Sequence, residues 1–308
     1  FFTQNFRHQT VKDTLDYKHF RQSPRWDQNS SRVGLLAGGF TIIGLGFYIS
    51  HLEVVPFTGR SHFVAISTAT ENKLGIFSYK YILSEHRGHV LPPNHLLSRF
   101  VTRVGKRIIG ALDSPFSPKG DIEHLKNLDW EFTVIESPEI NAFVLPGGKV
   151  CVFTGLLRMF PSDEELSAVL GHEIAHVVAR HPAEKLSQAL FLNLLKLALI
   201  SVVGFDFGGF LSASVLIGLE LPFSRRCETE ADSLGLHLMA RACFDPRLAP
   251  IVFRKLGQME SSLRPHKYLS THPSSVDREQ ALHVELNSAW RTFEERGCER
   301  TFRKVFDW

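Results

Sequence analysis

His172 and His176 stand four residues apart in the stretch LSAVLGHEIAHVVARH, residues 166–181, with Glu173 beside the first. On a helix, positions i and i+4 share one face, so both imidazoles can present a ring nitrogen to one ion. Glu173, one position round, can reach a water on that ion without binding the metal. This is the H-E-x-x-H arrangement of zinc-dependent hydrolysis, with the carboxylate as general base. A surface helix with incidental histidines is the competing reading. Leu166, Val169, Leu170, Ile174 and Val177 weigh against it, because they make the helix apolar nearly all round. Glu173 would then be buried with nothing to satisfy it, whereas a metal and its water supply that satisfaction.

A catalytic zinc site needs a third protein ligand and one open position. One class of such sites takes a histidine six residues after the second. Here that position is Pro182 and position 179 is alanine, so the class is excluded. His181 falls at the wrong offset and reads as structural or solvent-facing. The other class takes a carboxylate from a later helix. SRRCETEADSLGLHLMAR, Ser224 to Arg241, places Glu228 and Asp232 on one helical face. Glu228 can ligate the metal while Asp232 accepts the free N–H of a ligand histidine. Glu230 points elsewhere on that helix, and Ala231 would let the two helices approach closely. Alone, the same stretch would pass for an acidic helix start.

One Zn2+ per chain, held by His172, His176 and Glu228, would lower the pKa of its bound water toward about 7, with Glu173 taking the proton. The anionic tetrahedral intermediate needs a donor. His272 in STHPSSVDRE is the candidate and Arg278 a second, although either could cap a helix starting near Ser274. Asn141, Ala142 and Phe143 open the stretch NAFVLPGGKVCVFTG, which reads as a hairpin whose edge could bind substrate as an added strand. An ordinary sheet edge accounts for those three residues equally well.

The elements that must carry these groups follow from the rest of the chain. Its 308 residues are 44% hydrophobic, enough for a real core, and a formal net charge of +3 gives no reason to invoke nucleic acid. The chain begins Phe1-Phe2, which suggests a removed leader or a fragment. Residues 1–32 form a basic tail. Val33 to Ile49 carries no charge and spans roughly 25 Å as a helix, so residues 33–50 are expected to form one transmembrane helix before a peptidase domain over 51–308, with a buried segment or an interfacial hairpin as the alternatives. Gly34 and Gly38 make one G-x-x-x-G, a hint of a homo-oligomer. The basic tail places the N-terminus in the negative compartment and the remainder across the membrane. Residues 56–70 suggest a turn and a strand, and Asn94–Leu112 a helix. Trp130–Leu157 suggests strands broken at Ser137-Pro138 and Pro146-Gly147-Gly148. Ser162 with Glu165 forms a capping box, so the helix of the opening motif begins there and ends near His181-Pro182. The apolar region 186–221 reads as a helical hairpin, packed on the domain or dipping into the membrane surface. Cys151, Cys227, Cys243 and Cys298 show no C-x-x-C spacing. Cys243 and Cys298 could pair in an oxidising compartment, but four free thiols is the plainer reading.

Taken together, GHEIAH, SRRCETEAD, NAFVLPGGKVCVFTGLL and STHP resemble the membrane-associated gluzincins, the family of bacterial HtpX and the prenyl-protein (CAAX) endopeptidase. The segment HLEVVPFTGRSHFVAIS and the apolar stretch before it are similar to the OMA-type mitochondrial inner-membrane metalloendopeptidases, plant forms included. The resemblance covers roughly residues 50–290. It implies an α+β, mainly helical zincin (gluzincin) domain with a small β-sheet, behind one N-terminal transmembrane helix. It further implies an inner-membrane enzyme whose catalytic domain faces the intermembrane space. Its substrates would be membrane proteins near the lipid bilayer, dynamin-like fusion GTPases among them, in stress response and quality control. A CAAX-type or HtpX-like protease, and a non-catalytic membrane chaperone or adaptor on a peptidase scaffold, are the alternatives. Retention of Glu173 and of every candidate ligand disfavours the second.

Overall fold

The computed structural model describes residues 38–39, 41–112, 122–126, 128–203, 221–260, 268, 272 and 276–299. The chain divides into two compact units, residues 1–46 and 47–308. Residues 41–50 are helical, and Ile42, Ile43, Leu45, Phe47 and Ile49 are exposed. Residues 33–37 and 40 of the anticipated span, and the basic tail, lie outside the described residues. Among the described residues no helix is long and apolar enough to cross a membrane.

The second unit is mainly helical around two small sheets. β1 (Leu52–Val54) and β2 (Ser61–Phe63) form an antiparallel hairpin in which Leu52 opposes Phe63. α1 (Thr68–Glu85) follows, with Ser67 accepting a hydrogen bond from the Thr70 amide as its N-cap. Periodicity does not reveal this helix: Leu74, Phe77 and Tyr81 are exposed, while Glu71, Gly75 and Tyr79 are buried. α2 (Leu96–Ile109) is conventionally amphipathic, burying Val101, Val104 and Ile108. A helical turn, α3 (Glu123–Lys126), leads to β3 (Glu131–Ile135), β4 (Ala142–Leu145) and β5 (Lys149–Phe153). The order is β3-β5-β4, with β3 parallel and β4 antiparallel to β5. Every residue of β5 is buried, as a central strand covered on both faces requires. The β4–β5 turn uses Gly147 and Gly148 at positive φ, and Gly75 of α1 lies directly against the Pro146 backbone there.

After a short helix, α4 (Thr154–Met159), comes α5 (Asp163–Val178) with the predicted capping box: Ser162 Oγ accepts from the Glu165 amide and Glu165 from the Ser162 amide. Almost all of α5 is buried, so it forms the centre of the unit. It stops at Ala179, and Arg180 takes φ 54° before α6 (His181–Val203) begins. A non-glycine residue there costs about 1–3 kcal/mol unless its surroundings hold it. Arg180 is held by Glu53, Glu71 and the Ile66 carbonyl. Of the apolar region 186–221, α6 covers the first part and exposes Leu190, Leu194 and Leu197, while residues 204–220 lie outside the described residues. α7 (Leu221–Arg241), α8 (Ala249–Glu260) and α9 (Val276–Glu295) complete the unit.

α5 and α7 cross at Gly171 and Gly235. A methyl on Gly235 would sit 2.7 Å from the His172 amide nitrogen and 2.9 Å from the Gly171 carbonyl carbon. The close approach foreseen at Ala231 is therefore made one turn further along, at a residue without a side chain. Cys243 and Cys298 are bonded, contrary to the plainer reading of four free thiols, and Cys151 and Cys227 are free. The bond ties the end of α7 to the turn after α9.

Gly235→Ala should lower unfolding stability by about 1–3 kcal/mol in urea denaturation, because backbone rather than a flexible side chain receives the methyl. A change below about 0.5 kcal/mol would mean the helices can part freely. Cys298→Ser should cost about 2–4 kcal/mol in the same assay, since the closed loop is long.

Candidate metal centre

α5 and α7 bring three groups to one point. His172 Nε2 lies 3.1 Å from His176 Nε2 and 3.4 Å from Glu228 Oε2, and His176 Nε2 lies 3.6 Å from Glu228 Oε1. His272 completes the cluster, its Nδ1 3.2 Å from His172 Nε2 and 3.0 Å from Glu228 Oε2. Ligands at roughly 2.0–2.1 Å from a tetrahedral zinc stand about 3.3 Å from one another, close to the spacing of His172, His176 and Glu228. Two imidazole nitrogens pointing at one another cannot both donate, whereas a cation accepts both lone pairs. The donor set therefore fits a zinc ion.

Burial, followed by the charges of His172 and His181, holds His176 well below the ordinary imidazole value, so its lone pair is available. Burial pulls His172 the same way, but Asp232 and Glu228 outweigh it and raise it to about 9. Burial would raise Glu228, yet its contacts with His172 and His272 hold it ionised, far below the carboxylate range. Asp232 Oδ1 lies 2.9 Å from His172 Nδ1, though off the line of an ideal hydrogen bond. Arg278 grips Asp232 with two hydrogen bonds of 2.6 and 2.8 Å and reaches Glu228 at 3.3 Å. Arg278 thus engages both carboxylates at once.

Glu173 lies beside the cluster and is buried. Its Oε1 has no hydrogen bond among the described residues, with His272 Nε2 at 3.4 Å. Burial is the main influence and pushes its carboxyl above the ordinary range, against the pull of His272 and His172. An orphaned buried carboxylate oxygen next to a ligand cluster suits a group that takes a proton from water. Tyr268 stacks on His272, with ring centroids 4.8 Å apart.

A cleft of about 470 Å³ opens over these groups. Asn141 and Phe143 line it beside Glu173, His176 and Glu228. Ala142, on the same strand, is fully buried and does not line it. β4 is an outer strand of its sheet and carries no strand on its other side among the described residues.

His181 is neither solvent-facing nor remote. It is buried, and its Nδ1 lies 2.8 Å from His176 Nδ1. The left-handed turn at Arg180 folds it back onto the helix it follows, which offset counting along a helix cannot reveal. Glu230 does point away from the cluster, but toward His181 (3.0 Å) and Arg60 (2.8 Å). Burial would raise Glu230; His181 and Arg60 bring it down to about 2. Nothing in the local sequence of Arg60, which directly precedes β2, signals this role.

Replacing Arg278 by leucine should cost about 3–5 kcal/mol in denaturant titration, because Asp232 and Glu228 would keep buried charges without their partner. An unchanged midpoint would show that water enters this end of the site.

Residues 103–285 match peptidase family M48. The chain is 38% identical to the mitochondrial metalloendopeptidase OMA1 of Schizosaccharomyces pombe, over 93% of this chain and 81% of that protein. It is 36% identical to the Saccharomyces cerevisiae OMA1, over 88% of this chain and 79% of that protein. It is 33% identical to the Arabidopsis thaliana OMA1, over 88% and 68%. The chain therefore belongs to peptidase family M48, and is a metalloendopeptidase of the group that contains the OMA1 proteins.

Proposed function

We propose that the protein is a zinc-dependent endopeptidase of the mitochondrial inner membrane that cuts membrane or membrane-proximal proteins. The observation that carries the catalytic reading is the convergence of His172, His176 and Glu228 beside a buried Glu173 oxygen that makes no hydrogen bond. His172 and His176 would hold the ion through Nε2, and Glu228 through its carboxylate. Bound zinc supplies Lewis acidity and a water of lowered pKa. Glu173 Oε1 takes the proton of the attacking water and delivers it to the leaving amine. His272, facing both Glu173 and Glu228, is placed to donate to the oxygen that becomes anionic. Asp232 fixes the His172 ring, and Arg278 fixes Asp232. An extended substrate would add to β4 past Asn141 and Phe143, as main-chain pairing at a free strand edge allows.

The mitochondrial address rests on the relatives, whose names place them in that organelle. Two features support a membrane setting. Ile42, Ile43, Leu45, Phe47 and Ile49 are exposed on the helical residues 41–50, and α6 exposes leucines. The Cys243–Cys298 bond suits the intermembrane space rather than a reducing compartment. On this reading residues 33–50 span the bilayer and the N-terminus lies in the matrix.

Wild type and Glu173→Gln should each bind about one zinc per chain, and only wild type should degrade casein. Glu228→Gln should lose most of its metal. Chelator-sensitive proteolysis surviving in Glu173→Gln would remove Glu173 from the role of base. Expressed in mitochondria, the protein should resist alkaline carbonate extraction; full release into the supernatant would sink the spanning reading.

A further inference from the structure

The two candidate histidine ligands are braced differently. Behind His172 stand Asp232 of α7 and Arg278 of α9. Behind His176 stands a longer chain. With His176 Nε2 turned to the cluster, its ring proton resides on Nδ1, which faces His181 Nδ1 at 2.8 Å. His181 must accept there, so its own proton resides on Nε2, 3.0 Å from Glu230 Oε2. Glu230 Oε2 also accepts from Arg60 Nε at 2.8 Å, and Oε1 from Thr58 Oγ1 at 2.6 Å. The rest of the Arg60 guanidinium makes a two-pronged pair with Glu184, at 2.7 and 2.6 Å. Glu184 in turn meets His62 at 3.1 Å. Every hydrogen position along the route is fixed by the one before it, and each step is within hydrogen-bond reach.

We propose that His181, Glu230 and Arg60 are positioning residues for the metal centre, and that the β1–β2 hairpin thereby sets the orientation of the His176 ring. Outer partners of ligand histidines lock the ring and its tautomer, and losing one typically costs 10–100-fold in metal affinity. Thr58 and Arg60 lie before residue 103, where the family match begins, so the hairpin supplies part of the centre from outside it. The inference rests on the zinc reading above.

The test is zinc affinity, by competition with a chromophoric chelator, on the full chain. His181→Ala and Glu230→Gln should each weaken zinc binding by about 10–100-fold. The double variant should lose no more than His181→Ala alone, because both break one chain. His181→Gln offers one acceptor and one donor and should recover most of the affinity. Lys149→Met, which removes an ion pair with Asp129 on a strand outside this route, should lower the melting temperature and leave zinc affinity within about twofold. If His181→Ala does not fold, His181→Gln against Glu230→Gln decides the matter. Wild-type affinity in Glu230→Gln, additive losses, or an equal loss in Lys149→Met would overturn the proposal and reduce the chain to a structural ion pair. Absence of zinc binding in wild type would instead remove the zinc reading itself.

Discussion

At Gly171 and Gly235 the helices α5 and α7 meet with no side chain between them, and the candidate centre depends on that contact. His172 and Glu173 follow Gly171 directly, and Glu228 and Asp232 lie within two turns of Gly235 on the partner helix. A carboxylate is short, so Glu228 reaches the two imidazoles only if the helix axes are unusually close. Packing of this kind usually has side chains at the contact and wider spacing. Here the backbones touch, and His172 Nε2 comes to 3.4 Å from Glu228 Oε2. The core around them, in which β4 and α2 pack on α5, holds the crossing in place.

The same closeness concentrates charge in a dry place. Glu173, Glu228, Asp232 and Glu184 are all buried, which isolated carboxylates do not tolerate. The chain meets this with arginines brought from far away in sequence. Arg278 serves Asp232 and Glu228, Arg60 serves Glu184 and Glu230, and Arg180 serves Glu71 and Glu53. Glu173 is the exception, since no arginine pairs with it among these contacts. Each arginine is shared by two carboxylates, and Glu173 has none of its own.

Much of this was legible in the residues. The capping box at Ser162, the i, i+4 pairs at His172/His176 and Glu228/Asp232, and the glycine turn before β5 all act over fewer than five residues, the range over which periodicity and capping speak directly. What stayed hidden was long-range. α1 buries Glu71 and Gly75 and exposes Phe77, so its pattern inverts that of a core-facing helix. His181 is placed by one left-handed residue, and Arg60 by a hairpin more than a hundred residues before its partners. Cys243 and Cys298 could be named as a possible pair, but their bonding depends on a 55-residue return of the chain.

The hairpin and the break after α5 bear on where this enzyme begins. A fragment cut to residues 103–285 would keep the H-E-x-x-H helix and its glutamate, and would look complete in an alignment. It would also part Glu184 and Glu230 from Arg60, leave Arg180 without Glu53 and Glu71, and discard α1 from behind the β4–β5 turn. The boundary of recognition and the boundary of folding are thus different places in the chain. A fragment that keeps these contacts starts before Leu52, so the β1–β2 hairpin belongs to the same compact unit as the candidate centre.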